Sequence, residues 1–276
     1  MLVDLHVHTS RYSACGRATP EEMMARAVDV GLDGVVLTEH NLVWPDDEID
    51  ALRAQFPQLV IWQGVEITSA EGDDYLLYGL TSAAEHVREP DLQRDTEGER
   101  LVRRAHELGL VILLAHPYRY RDEAPAFLTR EPVDGVEIMS ANILDYAHGH
   151  AVALAEELDA FVVATSDGHS TKALGVYAVR FDGASLNGQL DDERALARAL
   201  VERRFALYVN GQAIAAQNAE IDAHRDQIKR LIGEGLSDSD IREKVPMASG
   251  VILRALREGL SVYRPGVESV NRMSCS

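Results

Sequence analysis

The chain has 276 residues, a formal net charge of −18 and two cysteines, Cys15 and Cys275. That length suits one large barrel-type domain, or one domain with a small appendage, and the acidity speaks against non-specific nucleic-acid binding by the whole surface. The cysteines do not make a disulfide framework, and with no leader pattern and no apolar run of membrane-spanning length the expectation is a cytoplasmic protein without membrane contact.

The elements follow one another in a regular order. In Asp4-Leu5-His6-Val7-His8 the polar residues alternate with apolar ones, so a strand places Asp4, His6 and His8 on one face. Two imidazoles at i and i+2 project side by side and suit zinc, iron or manganese. Thr19-Pro20-Glu21-Glu22 has the pattern of a helix start, with Thr19 as the cap and Pro20 in the first turn, and the helix is expected to stop at Gly31. A buried strand over 34–38 then delivers Glu39-His40, and a helix is expected over 46–54. The run 59–65 is read as one strand that ends by presenting Glu66, and 74–80 as another. After a polar stretch to about 95, the spacing predicts a helix over 96–108 and an apolar strand over 111–115 that carries His116-Pro117-Tyr118-Arg119 at its end. The strand 133–139 presents Glu137, a helix over 146–158 follows, and the strand 161–165 leads into Ser166-Asp167-Gly168-His169. Strands over 173–181 and 205–209 are expected around a helix over 191–204.

Each polar cluster thus lies at or just past the end of a buried strand. Alternating strands and helices close into a barrel or an open sheet, and both gather their site at the carboxyl ends of the strands. No glycine-rich nucleotide loop favours the open sheet, so a barrel is expected.

The motifs Asp4-Leu5-His6-Val7-His8-Thr9-Ser10, Leu37-Thr38-Glu39-His40-Asn41, Gly64-Val65-Glu66, Ala115-His116-Pro117 and Ser166-Asp167-Gly168-His169-Ser170 resemble, in order, those of the PHP (polymerase and histidinol phosphatase) family. The resemblance covers about residues 1–210 and implies an α/β fold, a distorted (β/α)7 barrel of PHP type, with two or three divalent transition metal ions (zinc, manganese or iron). The implied activity is that of a phosphoesterase, in which metal-bound hydroxide attacks a small phosphorylated metabolite or nucleotide. Carried over by position, His6, His8, Glu66 and Asp167 would hold a first ion, Glu66 and His116 a second, and His40 and His169 a third. Glu137 is the candidate for a further ligand of the second ion, or else a carboxylate that supports other ligands. Two positions depart from the family pattern: Glu39 stands where Asp is common, and the segment Arg11-Tyr12-Ser13-Ala14-Cys15 offers only Cys15 as a metal-binding side chain. Asp4 is read either as an outer carboxylate that orients an imidazole or as a structural partner. Arg119, and less so Arg11, could grip a substrate phosphate with a forked contact, and Asp167 and His169 join Arg119 as catalytic candidates, His169 as an acid toward the leaving oxygen if it holds no metal. His86, His106, His148 and His150 are read as packed or solvated.

Residues 211–276 carry nine acidic and nine basic side chains, against 36 and 18 in residues 1–210, so a boundary is expected at Asn210-Gly211. Helices are expected over 220–232, 238–244 and 248–258. The spacing resembles a helix-turn-helix with Arg254 and Arg257 on its second helix. A neutral segment is poorly suited to phosphate contacts, so an appendage packed on the barrel or on another subunit is preferred to a DNA reader. Hydrolysis of an amide or lactone at the same metal centre, and a ligand sensor with a DNA- or partner-binding tail, are the competing functional readings.

Overall fold

The computed structural model describes residues 1–141, 143–182, 190, 192–245 and 248–262; Cys275 and Asp191 lie outside them. In chain order the elements are β1 (Leu2–Val7), α1 (Pro20–Asp29), β2 (Gly34–Leu37), α2 (Asp46–Gln55), β3 (Val60–Gln63), β4 (Val65–Thr68), β5 (Asp74–Tyr78), α3 (Ala83–Val87), α4 (Gly98–Glu107), β6 (Val111–Leu114), β7 (Gly135–Met139), α5 (Asp145–Leu158), β8 (Phe161–Ala164), β9 (Tyr177–Phe181), α6 (Glu193–Val201), β10 (Phe205–Val209), α7 (Gly211–Gly233), α8 (Asp238–Lys244) and α9 (Gly250–Glu258). Thr19 caps α1 through a reciprocal pair with Glu22, as its sequence indicates.

The strands form two five-stranded sheets, β10-β9-β1-β2-β3 and β4-β5-β6-β7-β8. The α/β class is as expected, but these ladders do not make one closed cylinder. In the first sheet β1, β2 and β3 are parallel and β9 runs against β1. In the second, β5 runs against both β4 and β6, while β6, β7 and β8 are parallel. The single strand expected over 59–65 is divided at Gly64, where a Cβ would lie 2.8 Å from the Leu77 carbonyl oxygen. Only glycine allows the chain to pass from one sheet to the other so close to β5.

Three large apolar clusters fill the interior. Leu5, Trp62 and Tyr78 are in one, Val7, Met23 and Leu37 in a second, and Ile67, Tyr75 and Ile138 in a third. Val3 and Leu5 share one cluster while Val7 joins another, because the β1–β2 register shifts between Asp4 and Val7.

The C-terminal helices have a small core of their own, with Ile228, Leu231, Ile241 and Leu253. Helix α7 begins directly after β10, capped by Asn210, so it is longer than the sequence pattern indicated. Val251 and Ala255 of α9 dock on Ile143, Leu144 and Ala147 beside the end of β7. No helix among the described residues is long and apolar enough to cross a membrane.

Candidate metal centre

Strand ends from both sheets deliver the histidines and carboxylates to one place. The end of β1 is fastened to the loop after β8 by two hydrogen bonds, His8 N to Gly168 O (2.9 Å) and Gly168 N to His6 O (3.0 Å). The end of β2 is fastened to β4 in the same way, Glu66 N to Glu39 O (3.2 Å) and Asn41 N to Glu66 O (2.7 Å). Asn41, His116, Tyr118 and Asp167 all have positive φ, at 58°, 26°, 62° and 45°. Non-glycine residues in that region cost about 1–3 kcal/mol each, and such strain collects where side chains are aimed for function.

Glu66 is at the centre and fully buried. Its Oε1 lies 2.9 Å from His116 Nε2. Its Oε2 faces three imidazoles, at 2.9 Å from His40 Nδ1, 3.2 Å from His8 Nε2 and 3.4 Å from His6 Nε2, yet it has no hydrogen-bond partner of normal geometry. His6 Nε2 and His8 Nε2 are 2.9 Å apart, and Asp167 Oδ1 is 3.5 Å and 3.6 Å from them. Lone-pair donors crowded around one buried carboxylate oxygen fit a divalent cation better than a set of proton bridges. Among the described residues, four groups have donor atoms within 4.8 Å of one another: His6, His8 and Glu66; His6, His116 and Asp167; His8, His40 and His169; Glu66, Asp74 and His116.

A second layer orients these imidazoles. His6 Nδ1 lies 3.0 Å from Glu137 Oε1, which leaves Nε2 to face the cluster. Glu137 also accepts from Thr165 Oγ1 and, at 2.7 Å through Oε2, from the His116 amide. Both its oxygens are thus engaged by the far side of the His6 ring, Thr165 and the His116 amide, and Glu137 is in none of the four donor groups. His8 Nδ1 lies 3.2 Å from Ser13 Oγ, which donates to Glu39 and also accepts from the His40 amide. One hydroxyl proton and two lone pairs are then all used. Glu39 further accepts from Thr9 and Trp44, so its longer side chain pins the 9–13 loop. Asp4 does not orient an imidazole. It accepts from the Ser166 and His6 amides, and burial raises its pKa to about 6 against those bonds.

Burial disfavours charge on His6, but Glu66, Asp167 and Glu137 outweigh it and raise its pKa well above the usual imidazole value. His40 is likewise pushed up to about 11 against the effect of burial, by bonds to Cys15 and Glu66. Desolvation opposes charge on Glu66 and Asp167 as well, yet His6 and the neighbouring imidazoles hold both far below the usual carboxylate range. The cluster is therefore a strong trap for positive charge. Burial alone would raise the Cys15 thiol; bonds from His169 and His40 bring it down to about 6.

Arg119 Nη1 lies 3.2 Å from Asp167 Oδ2, and its Nε is buried without a partner. His169 is bonded through Nδ1 to the Asp167 carbonyl at 2.9 Å and stacks 4.4 Å from the His8 ring. Arg11 is turned away, in an exposed pair with Glu48 at 2.7 Å. His86 is bonded to Leu92 O, His106 to Glu131 and Asp134, and His148 to Ile138 O.

Sequence reasoning missed Asp74. Because β5 runs antiparallel to its neighbours, its first residue lies beside the ends of β4 and β6, paired with Thr68 and followed by Tyr75 opposite Leu114. A search limited to the ends of parallel strands does not find it. The only signal available was a carboxylate at the head of an apolar run.

The profile of the PHP domain matches residues 4–245. No curated protein matches the sequence. Among solved structures, PsfC from Pseudomonas syringae is similar at 20% identity with a TM-score of 0.56, over 77% of this chain and 92% of that one. A two-domain protein from Bacteroides vulgatus containing a predicted PHP-like metal-dependent phosphoesterase aligns at 20% identity and TM-score 0.57, over 76% of this chain and 65% of that one. A chain from Bifidobacterium adolescentis assigned as a metal-dependent phosphoesterase aligns at 16% identity and TM-score 0.51, over 73% and 96%. At these identities the likeness is one of fold.

Proposed function

This chain belongs to the PHP domain family, and on that premise we propose that it is a metal-dependent phosphoesterase acting on a small phosphorylated metabolite or nucleotide. The observation that carries the reading is Glu66: one oxygen faces His6, His8 and His40, and the other faces His116. A buried carboxylate shared in this way suits a bridge between two cations. His6, His8, Glu66 and Asp167 would hold the first ion, Glu66 and His116 the second, and His40 and His169, with His8 alongside, a third. When bound, such ions act as Lewis acids toward a phosphoryl oxygen and lower the pKa of water.

The protein's own side chains supply the rest. Glu137 and Ser13 fix the tautomers of His6 and His8 so that Nε2 carries the lone pair. Asp167 holds Arg119 at the edge of the cluster through Nη1, and the partly exposed guanidinium can donate to a phosphate oxygen, a charge-assisted bond stronger than a neutral one. His169 is placed to give a proton to the leaving oxygen wherever it is not itself a ligand.

We read the two sheets as the halves of the family's distorted (β/α)7 barrel, residues 1–210 as the hydrolytic unit and residues 211–276 as a helical appendage. The metal content of purified protein, together with turnover of a panel of phosphate mono- and diesters, amides and lactones, tests the reading. Two or more transition-metal equivalents with phosphate-ester turnover are expected. Metal-replete protein that cleaves only amides or lactones would overturn it.

A further inference from the structure

We infer that Asp74 is a metal ligand, which with Glu66 and His116 makes a carboxylate-rich position selective for a harder divalent cation such as manganese. The inference deepens the proposed function, because it rests on the cluster being a metal centre.

The donor atoms of Glu66, Asp74 and His116 lie within 4.8 Å of one another. Glu66 and His116 are buried, Asp74 is mostly covered, and none of the ion pairs formed by lysine or arginine among the described residues reaches Asp74; the nearby Arg121 pairs with Asp73 instead, at 3.3 Å. Two carboxylates this close in a covered site repel each other strongly unless a cation lies between them. Thr68 Oγ1 donates to Asp74 Oδ1 at 2.7 Å, which sets the direction of the carboxylate while leaving its second oxygen available. The backbone is equally fixed: Ala115 N donates to Asp74 O at 2.9 Å, one residue before His116. Thus β5 carries its carboxylate to the same edge at which β4 presents Glu66 and β6 leads to His116.

The chemistry of this group differs from that of its neighbours. His6, His8 and Glu66 provide two imidazoles and one carboxylate, and His8, His40 and His169 provide three imidazoles. Glu66, Asp74 and His116 provide two carboxylates and one imidazole. Oxygen-rich sets favour manganese and similar hard ions, whereas imidazole-rich sets suit zinc. One centre would then hold two positions of different hardness around a shared Glu66.

The test is a titration of the metal-free full chain with Mn2+, followed by the paramagnetic resonance of free and bound ion, alongside Zn2+ equivalents measured after dialysis. Asp74→Asn should weaken the manganese position about tenfold or more while the imidazole-rich positions keep their zinc. Asp74→His should lower the preference for manganese over zinc at that position. Wild-type manganese affinity in Asp74→Asn, or an unchanged preference in Asp74→His, overturns the inference. The two readings fail separately: a chain that binds manganese through Asp74 but cleaves no phosphate ester sinks only the phosphoesterase reading. An active esterase whose titration ignores Asp74 sinks only this one.

Discussion

The strand-end cluster and the C-terminal helices use the same kinds of charged side chain to opposite ends. In the cluster, buried groups are left with unmet demands: Glu66 Oε2 faces three imidazoles without a hydrogen bond of normal geometry, and Arg119 Nε has no hydrogen-bond partner. In the helices, arginines are paired within the module. Arg225 meets Asp222 at 2.6 Å, Arg257 meets Asp238 at 2.6 Å and Arg254 meets Glu258 at 3.1 Å. Unmet valence in a dry site marks a place that waits for a ligand, whereas matched exposed pairs mark architecture. Arg254 connects the two regions, since its guanidinium also bonds to the carbonyl of Arg119.

The largest effect should follow from Glu66→Gln, which keeps the volume but removes the charge on which four imidazoles converge. Turnover is expected to fall by about a thousandfold or more, the scale seen when a charge-stabilising group is removed from a dry site, and bound metal should fall with it in elemental analysis. Full metal occupancy in Glu66→Gln would break the contrast on the side of the cluster. Arg119→Ala should leave metal content intact and lower kcat/KM for phosphate esters by about a hundredfold, as befits a lost charged contact of about 3 kcal/mol. Arg119→Lys should recover little, because a point charge does not replace a fork.

Acidity gives the next test. His6 and His40 are raised above the usual imidazole value, His40 to about 11, so the metal-free cluster carries protons throughout the neutral range. A cation must displace them, hence affinity rises as pH rises, by about tenfold per pH unit for each proton released. Calorimetry in two buffers of different ionisation enthalpy counts those protons. No proton release at pH 7 would show that the imidazoles are already neutral.

Which parts of this could be read from the sequence follows from strand direction. His6, His8, His116 and Asp167 stand at or just after the ends of strands that begin with apolar runs, so ordinary α/β reasoning placed them together, whereas Glu66, expected at the end of a strand, is the second residue of β4. Asp74 was hidden because β5 runs the other way. The roles of Ser13 and Glu39 were hidden because a hydroxyl that accepts twice and donates once depends on two segments distant in sequence, 8–13 and 39–40. The break of 59–65 at Gly64 depends on the closeness of Leu77, which no local pattern records. In the helical module the spacing of Arg254 and Arg257 was visible, but their partners, Arg119 O and Asp238, were not.

Arg254→Ala tests the link between the regions. The bond to the Arg119 carbonyl stiffens the loop of His116 to Arg119, which already carries positive φ at His116 and Tyr118. Its loss should raise KM several-fold, up to about tenfold for one charge-assisted bond, with little change in metal content. An equal effect on ester hydrolysis and on thermal stability would assign Arg254 to packing alone.

Arg257→Ala should do least, and it is the sharpest test of whether the module is architecture. The pair with Asp238 joins α9 to the start of α8 across the surface, with both side chains more than a third exposed or close to it, at 40% and 35%. Exposed pairs of this kind contribute about 0–1 kcal/mol, and in a chain of this size 1 kcal/mol moves Tm by only about 2–4 °C. Metal content, KM and kcat should therefore stay at wild-type values, and the melting curve should barely shift. The alternative, that α9 reads DNA, makes the opposite demand. There Arg257 would leave Asp238 for a phosphate, and the full chain would show salt-sensitive retention of DNA that Arg257→Ala reduces, with a smaller dependence on salt. Retention of that kind, lost with Arg257 while Tm is unchanged, would mean that the ion pair is only a resting place for the side chain. The contrast between an unsatisfied centre and a satisfied module would then fail. If no DNA is retained by the wild type at low salt, the pair with Asp238 is the whole role of Arg257.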